Sequence, residues 1–143
     1  MCFPNLWILL LMLLMVSAVR SQGVVGKWKT IHDETGKAVS IVELYESKGK
    51  VYGKVVEIMN PKSRNKVCDQ CEGDDKNKPL IGLTVIKGLQ KDGDEYNGGR
   101  ILDPEHGRLY RCYISLEDDG RLKVRGYYGI SLFGRTQYWQ RVK

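Results

Sequence analysis

From Arg108 to Leu116 the side chains alternate: Tyr110, Cys112, Ile114 and Leu116 share one face, Arg111, Tyr113 and Ser115 the other. Arg121 to Tyr127 repeats the pattern, with Leu122 and Val124 opposed to Arg121, Lys123 and Arg125. A period of two marks a strand with one side on a core and one in water. Short runs rich in β-branched and aromatic residues recur from Val24 onward: VVGKWKTI, VSIVELYE, KVYGKVVEIM, IGLTVIKGL, EYNGGRIL, RLYRCYISL, RLKVRGYY and RTQYWQRV. Most joints between them are short and rich in Gly and Asp, as in DETG, KDGD, DPEHG and EDDG. No segment after the first 21 residues shows sustained helical spacing with caps.

Eight strands joined by tight turns predict antiparallel neighbours in up-and-down order. A sheet of that size removes its exposed edges by closing on itself, so the expected fold is all-β, an up-and-down antiparallel eight-stranded barrel. A two-sheet sandwich is the alternative. The runs Val39–Glu46 and Lys50–Met59 alternate poorly, which leaves their register open. One pair of positions bears on closure. Gly26-Lys27-Trp28 opens the first strand and Arg141 lies near the end of the last. A Gly-x-Trp with an Arg from the final strand resembles the lipocalin and calycin signature, in which the Trp plugs one barrel end and the Arg stacks across it.

The chain begins MCFPNLWILLLMLLMVSAVRSQG, with an apolar run from Leu6 to Val16 followed by Ser17 and Ala18. That run falls short of the roughly 20 residues a bilayer span needs. With small residues behind it, the segment is expected to be a signal peptide over residues 1–21, an uncleaved anchor being the alternative. One domain, residues 22–143, then remains, exported to the periplasm or secreted, with no integral membrane segment. Removing Arg20 with the leader takes the formal charge from +6 to +5. The cations are spread without a run of five, so no nucleic-acid partner is expected.

Between Asn60 and Pro79 lies an almost wholly polar stretch, too long for an idle connection in a compact domain. It holds Cys68 and Cys71, crowded by Asp69, Glu72, Asp74 and Asp75. Acids disfavour the thiolate that a redox centre needs, so a dithiol catalyst is not expected. Zinc would take Cys68, Cys71 and Cys112 with His32 or His106, but the second half lacks paired spacing. Calcium on the acids does not fit the EF-hand pattern. An exported compartment permits a disulfide. Closing the four-residue ring is worth about 2 kcal/mol, and a bridge to Cys112 about 4. Cys112 shares the face of Ile114 and Leu116, however, so the expectation is a Cys68–Cys71 clip and a buried Cys112 thiol, with pairing through Cys112 left open.

Catalysis finds little support. GISLFG has the wrong spacing for a nucleophile elbow, and His32 and His106 both sit in turns beside acids. No catalytic residue, metal or cofactor is expected. Binding is better served. Arg135, Gln137, Trp139 and Arg141 share a face of the last strand, which suits an anionic amphiphile if that face lines the lumen. Ile130, Leu132 and Phe133 place apolar side chains in a connection, as a lid, a docking patch or a plug. The ligand-binding candidates are therefore Arg135, Gln137, Trp139 and Phe133. The functional expectation is non-catalytic binding of a small apolar or amphipathic molecule. The alternative is an envelope protein-interaction module with a filled barrel, and the oligomeric state is open.

The segments GKWKTIHDETGKAVSIVELYE, CDQCEGDDKNKPLIGL, GGRILDPEHGRLYRC and LKVRGYYGISLFGRTQYW, with Arg141, resemble domain-of-unknown-function family 2147, small exported bacterial proteins. The resemblance implies an exported, lipocalin-like barrel, carries over no catalytic residue, and leaves the ligand blank.

Overall fold

The computed structural model describes residues 23–143. The expected leader, residues 1–21, lies outside the described residues. Eight strands follow one another: β1 (Gly26–Ile31), β2 (Ala38–Ser47), β3 (Lys50–Ile58), β4 (Thr84–Asp92), β5 (Glu95–Asp103), β6 (Arg108–Leu116), β7 (Leu122–Tyr127) and β8 (Gly134–Arg141). Each pairs antiparallel with the next, and β8 returns to β1 through Trp28↔Arg141 and Lys29↔Gln140, so the sheet closes into a barrel. The turns at 48–49, 93–94 and 117–121 gather at one end, the closed end. The connections 32–37, 59–83, 104–107 and 128–133 gather at the other, the mouth.

The irregular alternation of β2 and β3 has a local cause. Val42 lies opposite Val55 but Ser40 opposite Ile58, so β3 carries one extra residue and a bulge. Val55 and Ile58, three apart, are both buried as a result. A period-two pattern cannot register that change of face.

At the closed end the inward side chains meet in the middle. Trp28, Leu44, Leu89, Ile114, Leu122 and Trp139 belong to one cluster there, and each is buried. Shedding that much apolar surface from water is the main stabilising term for a domain of this size.

The polar stretch 59–83 is not idle loop. Two short 3-10 turns, Pro61–Ser63 and Gly73–Asp75, and a bridge between Val67 and Pro79 give it shape. It folds as a flap against the outside of β4 and β5. The pairs Ile86↔Ile101 and Lys87↔Arg100 put Val85 and Leu102 on the outer face with Lys87 and Arg100. Both are nevertheless buried, in the same cluster as Cys68, Cys71 and Leu83. Asp75 on the flap pairs with Lys87 on β4. On the β5–β6 turn, a side chain at Gly107 would place its Cβ 1.8 Å from Gln70 O, and φ there is +69°. Only glycine lets that turn seat on the flap.

Candidate functional site at the barrel mouth

The closed end is shut by Trp28. Its Nε1–H donates to Val24 O at 2.8 Å, and the Arg141 guanidinium lies 4.3 Å from its ring centroid. Arg141 also donates to Val25 O at 3.2 Å and Gly23 O at 2.5 Å, tying the incoming chain to the outgoing strand. Gly26 has φ +133°, and a Cβ there would sit 3.0 Å from Arg141 Nη1. The Gly-x-Trp spacing therefore has a steric reason: the guanidinium crosses where a side chain would stand.

Toward the mouth, a buried inward residue is followed by a partly exposed one on five of the eight strands. On β1 Trp28 is buried and Thr30, the next inward residue, is partly exposed; on β2 the same holds for Val42 and Ser40. On β6 Cys112 is buried and Tyr110 partly exposed, and on β7 Val124 is buried and Gly126 partly exposed. On β8 Trp139 is buried and Gln137 partly exposed. These partly exposed inward residues, Thr30, Ser40, Tyr110 and Gln137, give the mouth-side inner wall, here the cup, its hydroxyls, amide and ring. Thr30 and Ser40 share a 2.7 Å hydroxyl hydrogen bond within it. Against β3 and β4 the cup is filled, since Val55, Ile58 and Ile86 are buried.

Among the ligand-binding candidates, Gln137 stands in the cup wall. Trp139 lies below it as floor, 3% exposed, and donates Nε1–H to Gln137 Oε1 at 3.2 Å. The ring of Trp139 packs in the core cluster. Arg135 is at the rim, opposite Gly126 and paired with Asp33. Phe133 points to solvent in the β7–β8 connection, with Tyr128, Ile130 and Leu132. That connection does not fold inward as a plug. The shared face of β8 therefore splits: Arg135 and Gln137 reach the mouth, whereas Arg141 serves the closed end. Thr30, Ser40 and Tyr110 escaped the sequence reading. Their signal was a hydroxyl two residues from a core position on the same alternating face.

Cys68 and Cys71 are bonded to each other, with their Cα atoms 5.3 Å apart. Both are buried on the flap's inner side, and Cys68 Sγ lies 3.6 Å from Pro104 O. Cys112 is a buried free thiol whose pKa burial pushes up to about 12, so it carries no thiolate near neutrality. The zinc set is consequently not assembled. His32 Nδ1 accepts from the Glu34 and Thr35 backbones at 3.3 Å, while His106 Nδ1 lies 2.8 Å from Asp103 Oδ2. Asp103 Oδ1 also accepts from Glu105 N at 3.0 Å, so this acidic trio is turn chemistry. Two external grooves flank the flap. One, about 600 Å³, runs past Tyr45, Tyr52 and Lys87; the other, about 580 Å³, past Leu102, Arg108 and Tyr128. Asp75 borders both, and it is already engaged by Lys87 and by Lys78 at 3.7 Å.

A closed up-and-down barrel whose first-strand Trp is covered by a last-strand Arg is a lipocalin-like fold. The sequence profile of the family described as "Uncharacterized protein conserved in bacteria (DUF2147)" matches residues 26–141, and the chain belongs to that family. No curated protein matches the chain. Among solved structures, protein HP1028 from the human pathogen Helicobacter pylori, which belongs to the lipocalin family, matches with a TM-score of 0.75. The two are 22% identical over 86% of this chain and 85% of that one, a likeness of fold.

Proposed function

We propose that the protein acts after export and removal of residues 1–21 as a non-catalytic carrier of a small amphipathic molecule. The mouth-side cup holds the ligand. The observation that carries this reading is that on β1, β2, β6, β7 and β8 a buried inward residue is followed toward the mouth by a partly exposed one, several of them polar. A barrel that served only as a scaffold would gain by filling that volume with apolar side chains. Here the wall carries Thr30, Ser40, Tyr110 and Gln137 instead, with Arg135 at the rim. Such a lining suits a ligand with an apolar body and an acidic or hydroxyl head, oriented by a few polar groups.

The test is a titration with monomeric cis-parinaric acid, a fluorescent fatty acid, followed through its own emission and through tryptophan quenching. Saturable one-to-one binding that weakens at least about tenfold (~1.4 kcal/mol) in Gln137→Leu, with an unchanged melting curve, supports the carrier. No saturable binding of this probe or of a panel of fatty acids sinks it.

A further inference from the structure

The four most exposed large apolar side chains of the described residues all sit in the β7–β8 connection. Tyr128, Ile130, Leu132 and Phe133 are 77%, 60%, 76% and 67% exposed. Displayed together on one turn, they form a patch that water alone does not favour. The turn is held rather than loose. Tyr128 N donates to Phe133 O at 2.9 Å and Phe133 N to Ile130 O at 3.1 Å. The Arg125 guanidinium donates to Ser131 O at 2.9 and 2.6 Å and reaches Leu132 O at 3.5 Å. The carbonyls of 130–133 therefore have partners inside the protein, which lowers the cost of taking the turn out of water.

Cations are frequent beneath the tip. On the mouth half of the barrel the cations near the tip include Arg108, Arg111, Arg125 and Arg135, and Glu72 and Asp75 share a groove with Arg108 and Tyr128. The outer face of β6 and β7 leads up to the tip as rows: Ser115 beside Lys123, Tyr113 beside Arg125, Arg111 beside Tyr127. Lys123 Nζ stands 5.6 Å over the Tyr113 ring, whose centroid is 6.3 Å from that of Tyr127. Asp119 holds Arg121 and Asp33 holds Arg135. Among the described residues no carboxylate pairs with Arg108, Arg111, Lys123 or Arg125.

We infer that the β7–β8 tip is a membrane-surface anchor, seating Tyr128, Ile130, Leu132 and Phe133 in the headgroup region of an anionic bilayer. Arg108 and Arg111, on the mouth half of β6, meet the lipid phosphates. Apolar side chains at the tip with cations behind them are the arrangement that peripheral binding requires. A second copy of this chain is disfavoured, because a symmetric contact at the tip brings like charges together. A nucleic acid accounts for the cations and tyrosines but leaves Ile130 and Leu132 without a role. This inference stands apart from the contents of the cup, and the vesicle assay below reads it without any soluble ligand.

The experiment is sedimentation of residues 22–143 with vesicles of phosphatidylcholine, alone or mixed with phosphatidylglycerol. Binding to the mixed vesicles is expected, declining with salt. Ile130→Ser/Leu132→Ser is expected to lose at least tenfold, and Arg108→Gln/Arg111→Gln about fivefold per cation removed. Melting curves of both variants, matched to the parent, establish that they are folded. No sedimentation with the mixed vesicles overturns the inference. So does equal binding by the Ile130→Ser/Leu132→Ser variant, or RNA retention that this variant keeps in full while vesicles fail to bind.

Discussion

The two ends of this barrel follow opposite rules. At the closed end the inner face is dry, and Trp28, Leu122 and Trp139 are packed inward while Lys29, Lys123 and Tyr138 face out. At the mouth, Thr30, Ser40, Tyr110 and Gln137 face inward and keep contact with solvent, while Val85 and Leu102 face outward and are buried beneath the flap. Burial here follows what covers a face, not which side of the sheet it is on. The closed end is stabilised by its own strands. The mouth borrows apolar cover from a connection, which frees part of its lumen to remain polar.

Perturbing each end separately tests that division. The largest effect is expected from Trp28→Ala, which empties the closed end and strands the Arg141 guanidinium: a loss of about 3–5 kcal/mol in denaturant unfolding. A loss under about 1 kcal/mol would mean that the closed end is not the anchor of the core. Replacing Cys68 and Cys71 together by Ala should cost about 2 kcal/mol in the ring-closure account, and raise hydrogen exchange in the flap and at Leu102 before β1 and β8. Uniform exchange would instead make flap and barrel a single cooperative unit.

An effect confined to alkaline pH, absent at neutrality, marks the border between the halves. Cys112 is buried just below the partly exposed Tyr110, and its folded pKa is raised. A thiol with a raised folded pKa contributes stability fully below its unfolded value, near 8.5, and loses it as pH climbs toward about 12. Wild-type stability should therefore fall more steeply than that of Cys112→Ala above pH ~9, by up to about 1.4 kcal/mol per unit. Parallel alkaline slopes would show that water reaches the thiol, and the border would move down toward Ile114.

Most of the closed end was legible in the residues, because it obeys a local rule. Alternation in Arg108–Leu116 and Arg121–Tyr127 places Cys112, Ile114, Leu122 and Val124 inward, and the structure agrees. Trp28 and Arg141 were legible as a pair at opposite ends of the chain, joined by the closure of the sheet. The mouth was less so. Alternation marks Trp139 and Gln137 as one face but cannot say at what depth a lumen ends, and that depth separates a floor residue from a wall residue. Val85 and Leu102 break the in-out rule, because the flap that covers them comes from elsewhere in the chain.

By itself, then, the sequence determined the strand order, the expectation of a barrel, the Trp28–Arg141 pair and the family, since these rest on short-range periodicity, turn chemistry and motifs read in order. Only the tertiary structure decided where the inner face turns from buried to partly exposed, which face of β4 and β5 the flap covers, and that Ile130, Leu132 and Phe133 stand in solvent. Those are outcomes of contacts between distant segments. A pattern with a period of two carries no information about what eventually lies on top of it.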